Sequence, residues 1–105
     1  MEIQTTDDSL WSKIVVTGEV DLNSSPKLRK AILAGIDDEK HVGVDLAGAS
    51  YMDSSGVATL VEGLKSASEK KTRFVIVQPS NAVMKVLKLA RLDALFDIRP
   101  SLGTP

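Results

Sequence analysis

Apolar positions change their period repeatedly along the chain, and the order of the changes predicts its architecture. Lys13 to Val20 is rich in β-branched residues and reads as a strand, with Met1 to Thr5 a short edge partner. Ser24-Ser25-Pro26 predicts a helix start, a serine cap followed by proline at the first helical position. Leu28, Ala31, Ile32 and Ile36 then recur at spacings of three and four, which defines one apolar helix face. Gly35 and the acidic turn Asp37-Asp38-Glu39 are expected to end it. Val42 to Ala47 reads as a second strand, broken by Gly48. Val57, Leu60, Val61, Leu64 and Ala67 mark a second helix face. Arg73 to Gln78 is almost continuously apolar, as a strand buried on both faces should be. Pro79-Ser80 stops that strand and starts a third helix that runs to about Leu92, and Asp93 to Ile98 predicts a last short strand or turn.

Strand and helix alternate, so the expected fold is α/β, with parallel strands joined by crossovers and helices packed on the sheet. The 105 residues suit one domain. We expect a single-domain sandwich of about four to five strands in a mixed sheet with three to four helices, over residues 1–99. Residues 100–105 read as a frayed C-terminal tail.

Composition narrows the function classes. Hydrophobic residues make up 43% of the chain, enough for one core, and thirteen basic side chains nearly balance fourteen acidic ones. A net charge of −1 lacks the basic footprint of a nucleic-acid binder. Lys65, Lys70 and Lys71 are interleaved with Glu62 and Glu69, the pattern of a solvated helix face. There is no cysteine and thus neither a disulfide framework nor a thiolate nucleophile. Neither a leader peptide nor an apolar run of membrane-spanning length is visible, so we expect a soluble, cytoplasmic protein without membrane insertion.

Candidate chemistry is sparse. His41 is the only histidine, placed just before a strand with no second ligand, which points to a strand-end role over a metal site. No nucleophile elbow, phosphate-cradling loop or dinucleotide fingerprint is present, so neither an enzymatic activity nor a cofactor is expected. Trp11 is expected at the edge of the core. The third helix carries more apolar residues (Val83, Met84, Val86, Leu87, Leu89, Ala90, Leu92) than one core face needs, and the surplus is a candidate contact surface.

The informative segment is Tyr51-Met52-Asp53-Ser54-Ser55-Gly56-Val57, where a strand hands over to the second helix. A serine there caps the helix, yet one cap needs only one serine. A phosphate on the outward serine would meet the positive end of the helix dipole, and Gly56 would let a partner's backbone approach. Cap and phosphorylation switch both fit these residues.

Asp53-Ser54-Ser55-Gly56, followed by the Val57, Leu60, Val61, Leu64 face, resembles the signature of the STAS domain family, in particular its free-standing anti-sigma factor antagonists. Gly18-Glu19-Val20-Asp21 resembles that family's Gly-Glu-Leu-Asp turn, and Val44-Asp45-Leu46 its strand before the serine loop. The element order agrees from about Ile3 to Asp97. The resemblance implies partner switching: binding to an anti-sigma factor or another serine kinase-type regulator, which uses ATP and magnesium on its own side to phosphorylate the second serine. A metal-dependent serine phosphatase reverses the modification. Carried over to this sequence, Ser55 is the phosphoacceptor, Ser54 the neighbouring cap, and Asp53 shapes the loop. Asp21 lies close to the acceptor, and Asp21, Asp53, Ser54, Ser55 and Gly56 make up the partner-binding set. A subunit that binds the ATPase of a phospholipid transport system is the alternative reading of the same fold.

Overall fold

The computed structural model describes residues 1–102. Its elements run β1 (Glu2–Asp7), β2 (Trp11–Val20), α1 (Ser25–Asp37), β3 (His41–Met52), α2 (Ser54–Glu69), β4 (Phe74–Val77), α3 (Asn81–Leu89) and β5 (Asp97–Arg99). One five-stranded sheet has the order β1-β2-β3-β4-β5, with β1 antiparallel to β2 and every other pairing parallel. This is the α/β sandwich expected, with a mixed sheet and three helices.

Local chemistry explains most of the boundaries. The β1–β2 hairpin closes because the Asp8 carboxylate accepts from the backbone N–H groups of Leu10 (2.8 Å) and Trp11 (2.7 Å), so β2 begins at Trp11, two residues before the expected Lys13. Along β2, Ser12, Ile14 and Val16 are buried while Lys13, Val15 and Thr17 are exposed, the period-two pattern of a strand covered on one face. β4 is buried at all four positions, as its continuous apolar run predicts. Ile14, Val44, Ile76 and Phe74 from the strands share one core with Leu28, Ile32 and Ile36 of α1, Leu60 and Ala67 of α2, and Val83 and Leu87 of α3. All three helices therefore cover the same face of the sheet.

Five local expectations are corrected. Ser24 occupies the α1 N-cap position but makes no side-chain cap, because its hydroxyl turns back toward Asp21 and Glu19. Gly35 does not end α1; it lies buried within the helix, where a Cβ would come 2.8 Å from Ser12 Cβ. The left-handed residue that ends α1 is Glu39, at φ 60°, with Lys40 N–H bonded back to Gly35 O (3.1 Å). Gly48 does not break β3, which absorbs irregularities opposite β2 and continues to Met52. Finally, α3 ends at Leu89, short of Leu92, and buries Val83 and Leu87; Leu89 itself is 77% exposed. Within the expected tail, Leu102 packs against Trp11, Val75 and Val77 and is not frayed, while residues 103–105 lie outside the described residues.

Candidate functional site

Two turns meet at the C-terminal end of the central strands. Val20 pairs with Met52 in parallel register, and Asp53 N–H donates to Val20 O (3.1 Å). The next residue of each strand, Asp21 and Asp53, therefore leaves the sheet beside the other. The pairing depends on β3 carrying two more residues than β2: Val15 faces Asp45 and Val20 faces Met52, five steps against seven. The bulges supply the difference.

Each aspartate organises its own turn. Asp21 Oδ1 accepts from the N–H groups of Asn23 and Ser24 (both 3.0 Å), while Ser24 Oγ accepts from Asp21 N–H (2.9 Å). This reciprocal pairing folds residues 21–24 tightly ahead of α1 and leaves Leu22 out, 75% exposed. Asp53 has extended backbone (φ −105°, ψ −172°) and is the N-cap of α2, its Oδ1 accepting from the N–H groups of Ser55 (2.9 Å) and Gly56 (3.4 Å). The same oxygen accepts from the Ser55 hydroxyl.

The cap is thus Asp53, correcting the assignment to Ser54. A carboxylate one residue earlier, on an extended backbone, reaches the free N–H groups with charge as well as geometry. Ser54 becomes the first helical residue and is exposed, whereas Ser55 is half-buried. Gly56 is buried and faces inward: a Cβ there would stand 2.6 Å from Met52 Cγ and 2.9 Å from Val20 Cγ1. Its missing side chain lets the first turn of α2 sit down on the two strand ends. It brings the helix to the sheet, and does not open the surface to a partner's backbone.

Both carboxyls are held below the ordinary aspartate value of 3.8. For Asp53 the leading cause is the Ser55 hydroxyl, opposed by partial desolvation and reinforced by the Gly56 and Ser55 amides. For Asp21 the Ser24 amide and hydroxyl lead, and the nearby negative charge of Asp53 opposes them. Folding favours the charged form of each, so both contributions are complete above about pH 4 and are lost as pH falls through the depressed folded values. Asp53→Ala is expected to lower Tm by a few degrees at pH 7. The difference from wild type should shrink in melts taken at progressively lower pH below 3.8. A gap that stays constant down to pH 2 would remove the ionised cap from this account.

The remaining candidates are strand-end or surface features. His41 Nδ1 accepts from Arg73 N–H (3.0 Å), and its ring lies 5.1 Å from that of Trp11, so it ties β3 to the start of β4. An exposed apolar side chain beside the aspartates, Leu22 in the Asp21 turn, was not singled out from the sequence. The available signal was an apolar residue inside a polar turn, Asp21-Leu22-Asn23. Together the two aspartates, Ser54, Ser55 and Leu22 form an acidic, hydroxyl-bearing surface edged by an apolar group.

This fold is that of a family of regulatory binding domains. The STAS domain model matches residues 1–104, and the chain belongs to that family. It is 26% identical over 87 residues to the anti-sigma-B factor antagonist of Listeria monocytogenes, covering 82% of this chain and 76% of that one. With the anti-sigma-B factor antagonist of Staphylococcus aureus it shares 25% identity over 99 residues, 93% of this chain and 92% of the relative. Among solved structures, an anti-sigma factor antagonist from Mycobacterium paratuberculosis superposes with a TM-score of 0.85 at 26% identity, over 96% of this chain and 86% of that one. The family is one of regulatory binding proteins. Among the described residues no helix is long and apolar enough to cross a membrane.

Proposed function

We propose that this chain is an anti-sigma factor antagonist that binds a serine kinase-type regulator through the Asp21–Asp53 surface and is released when Ser55 is phosphorylated. The observation that carries the reading is the Ser55 hydroxyl bonded to Asp53 at a helix N-terminus. Asp21 stands next to it from the adjoining strand. Unmodified, the site presents two hydroxyls, that of Ser55 already donating to Asp53, with two carboxylates and one apolar group, Leu22, to a partner. Phosphorylation removes the hydroxyl proton and adds roughly −1.5 to −2 charges. The N–H groups of Ser55 and Gly56 that would receive a phosphate already serve Asp53, so the new dianion faces a carboxylate and turns outward. It then lies in the partner's path.

In this reading each residue has one role. Ser55 is the acceptor, Asp53 orients its hydroxyl, and Asp21 and Ser54 complete the contact surface. Gly56 acts indirectly, by seating the helix. ATP and magnesium belong to the kinase-type partner, a serine phosphatase restores the hydroxyl, and the cycle runs in the cytoplasm. The test uses a purified kinase-type anti-sigma factor with ATP and magnesium, and mass spectrometry of the product. We expect one phosphate on Ser55 and none on Ser55→Ala. Phosphate on Ser54 would move the switch by one residue. Equal capture of a transporter ATPase by wild type, Ser55→Ala and Ser55→Asp, without phosphate on any, would replace the reading altogether.

A further inference from the structure

Among the described residues the second face of the sheet carries no helix, yet part of it is dry. Lys13, Gly43 and Val75 form one row across β2, β3 and β4, and Val15, Asp45 and Val77 form the next. On this face Trp11 is 3% exposed and Val75 is fully buried. What covers them is the chain's own Leu102, packed on Trp11, Val75 and Val77.

The seat for Leu102 is built into the strand. Gly43 stands between Val42 and Val44, in a strand interior where glycine is unfavourable unless something must approach closely. Here a Cβ would lie 2.5 Å from Leu102 Cδ2. The segment reaches this seat directly from β5. Gln78 Nε2 donates to Pro100 O (2.9 Å), and Arg99 Nη1 donates to Leu102 O (3.3 Å) while Asp97 holds the same guanidinium (2.7 Å). No ladder of backbone hydrogen bonds joins residues 100–102 to the sheet among the described residues; one apolar side chain and two side-chain-to-carbonyl bonds do. So light an attachment belongs to the part of a fold that opens first.

Beside the segment runs a groove of about 440 Å³ lined by Trp11, Lys13, Val15, Asp45 and Leu102. The Trp11 indole N–H is buried and meets no acceptor among the described residues. We propose that this face is a second interaction surface, built for an extended apolar segment, and that Pro100–Leu102 occupies it in cis as a displaceable strap. An occupant must bring an apolar side chain for the Gly43 seat and backbone carbonyls for Gln78 and Arg99. Leu102 and its neighbours supply both. The inference does not depend on phosphorylation at Ser55.

Trp11 is the single tryptophan and reports on the strap directly. In the full chain, acrylamide quenching of Trp11 should rise several-fold in Leu102→Asp, with emission shifted to the red and far-UV circular dichroism unchanged. Gly43→Ala should give the same rise by expelling Leu102 from below. Adding a peptide spanning Asp97–Leu102 at millimolar concentration should restore protection in Leu102→Asp. Unchanged quenching in both variants would overturn the strap, and failure of the peptide to protect would overturn the interaction surface. A wild-type dimer that Leu102→Asp converts to a monomer would place the segment between two copies and overturn the arrangement in cis.

Discussion

Ser55→Asp should weaken binding of the kinase-type regulator by about 100-fold, about 2.7 kcal/mol, while leaving the fold standing. The substitution removes the hydroxyl that donates to Asp53 and places a third carboxylate beside Asp21 and Asp53. A partner shaped for a compact hydroxyl engaged with Asp53 then meets a further negative charge in its place. Stability is nearly spared because the new charge lies in the first turn of α2, where a helix tolerates anions, and because Ser55 is only half-buried. Isothermal titration against the purified regulator checks the affinity, and a thermal melt checks the fold. If repulsion is the cause, raising the salt concentration should restore part of the binding, since the Debye length shrinks from about 8 Å at physiological ionic strength to about 3 Å at 1 M. A variant that binds as wild type would show that Ser55 lies outside the contact. One that melts far below wild type would show that the hydroxyl holds the fold and does not act as a switch.

Leu60→Ala tests the opposite combination. Leu60 is fully buried on α2, five residues beyond Ser55, within the core shared by the sheet and all three helices. Removing its side chain should cost about 2–5 kcal/mol from lost burial and the cavity left behind. Domains of this size hold only about 5–15 kcal/mol in total, so the loss is a large fraction. Tm should fall by roughly 10 °C or more, and the denaturant midpoint should drop with an unchanged slope. Binding, measured well below the new Tm, should decline only with the fraction unfolded, because the Asp21–Ser55 surface lacks this side chain. A melt close to wild type would mean that α2 is not anchored as described. The two variants therefore separate the surface of the first turn of α2 from its buried face.

Much of the fold was legible because it is written at short range. A period of two along Ser12–Val16, and spacings of three and four at Leu28, Ile32, Ile36 and at Val57, Leu60, Leu64, Ala67, each depend only on neighbours within two turns or a few strand residues. Helix ends were less legible. Glu39, Lys71 and Arg91 adopt positive φ after α1, α2 and α3, where glycine is the usual signal. Gly35, which looked like a terminator, serves the packing of α1 on β2 and β3.

The Asp53-Ser54-Ser55-Gly56 loop shows the same division within four residues. By itself the sequence determined that a strand gives way there to an amphipathic helix, with a serine pair and a carboxylate at the junction. Which group caps the helix was decided by the extended backbone of Asp53, which aims its carboxylate at the N–H groups of Ser55 and Gly56 and leaves Ser54 outward. That Asp21 stands beside Asp53, thirty-two positions away, was decided by the register of β2 on β3 and by the two residues that β3 accommodates in bulges. The strap of Leu102 over Gly43 is of the same kind, joining residues that only the parallel sheet brings together. Period and capping preferences act between near neighbours and can be read along the chain. Register and cover are settled by the joint packing of strands far apart in sequence, and only the tertiary structure fixes them.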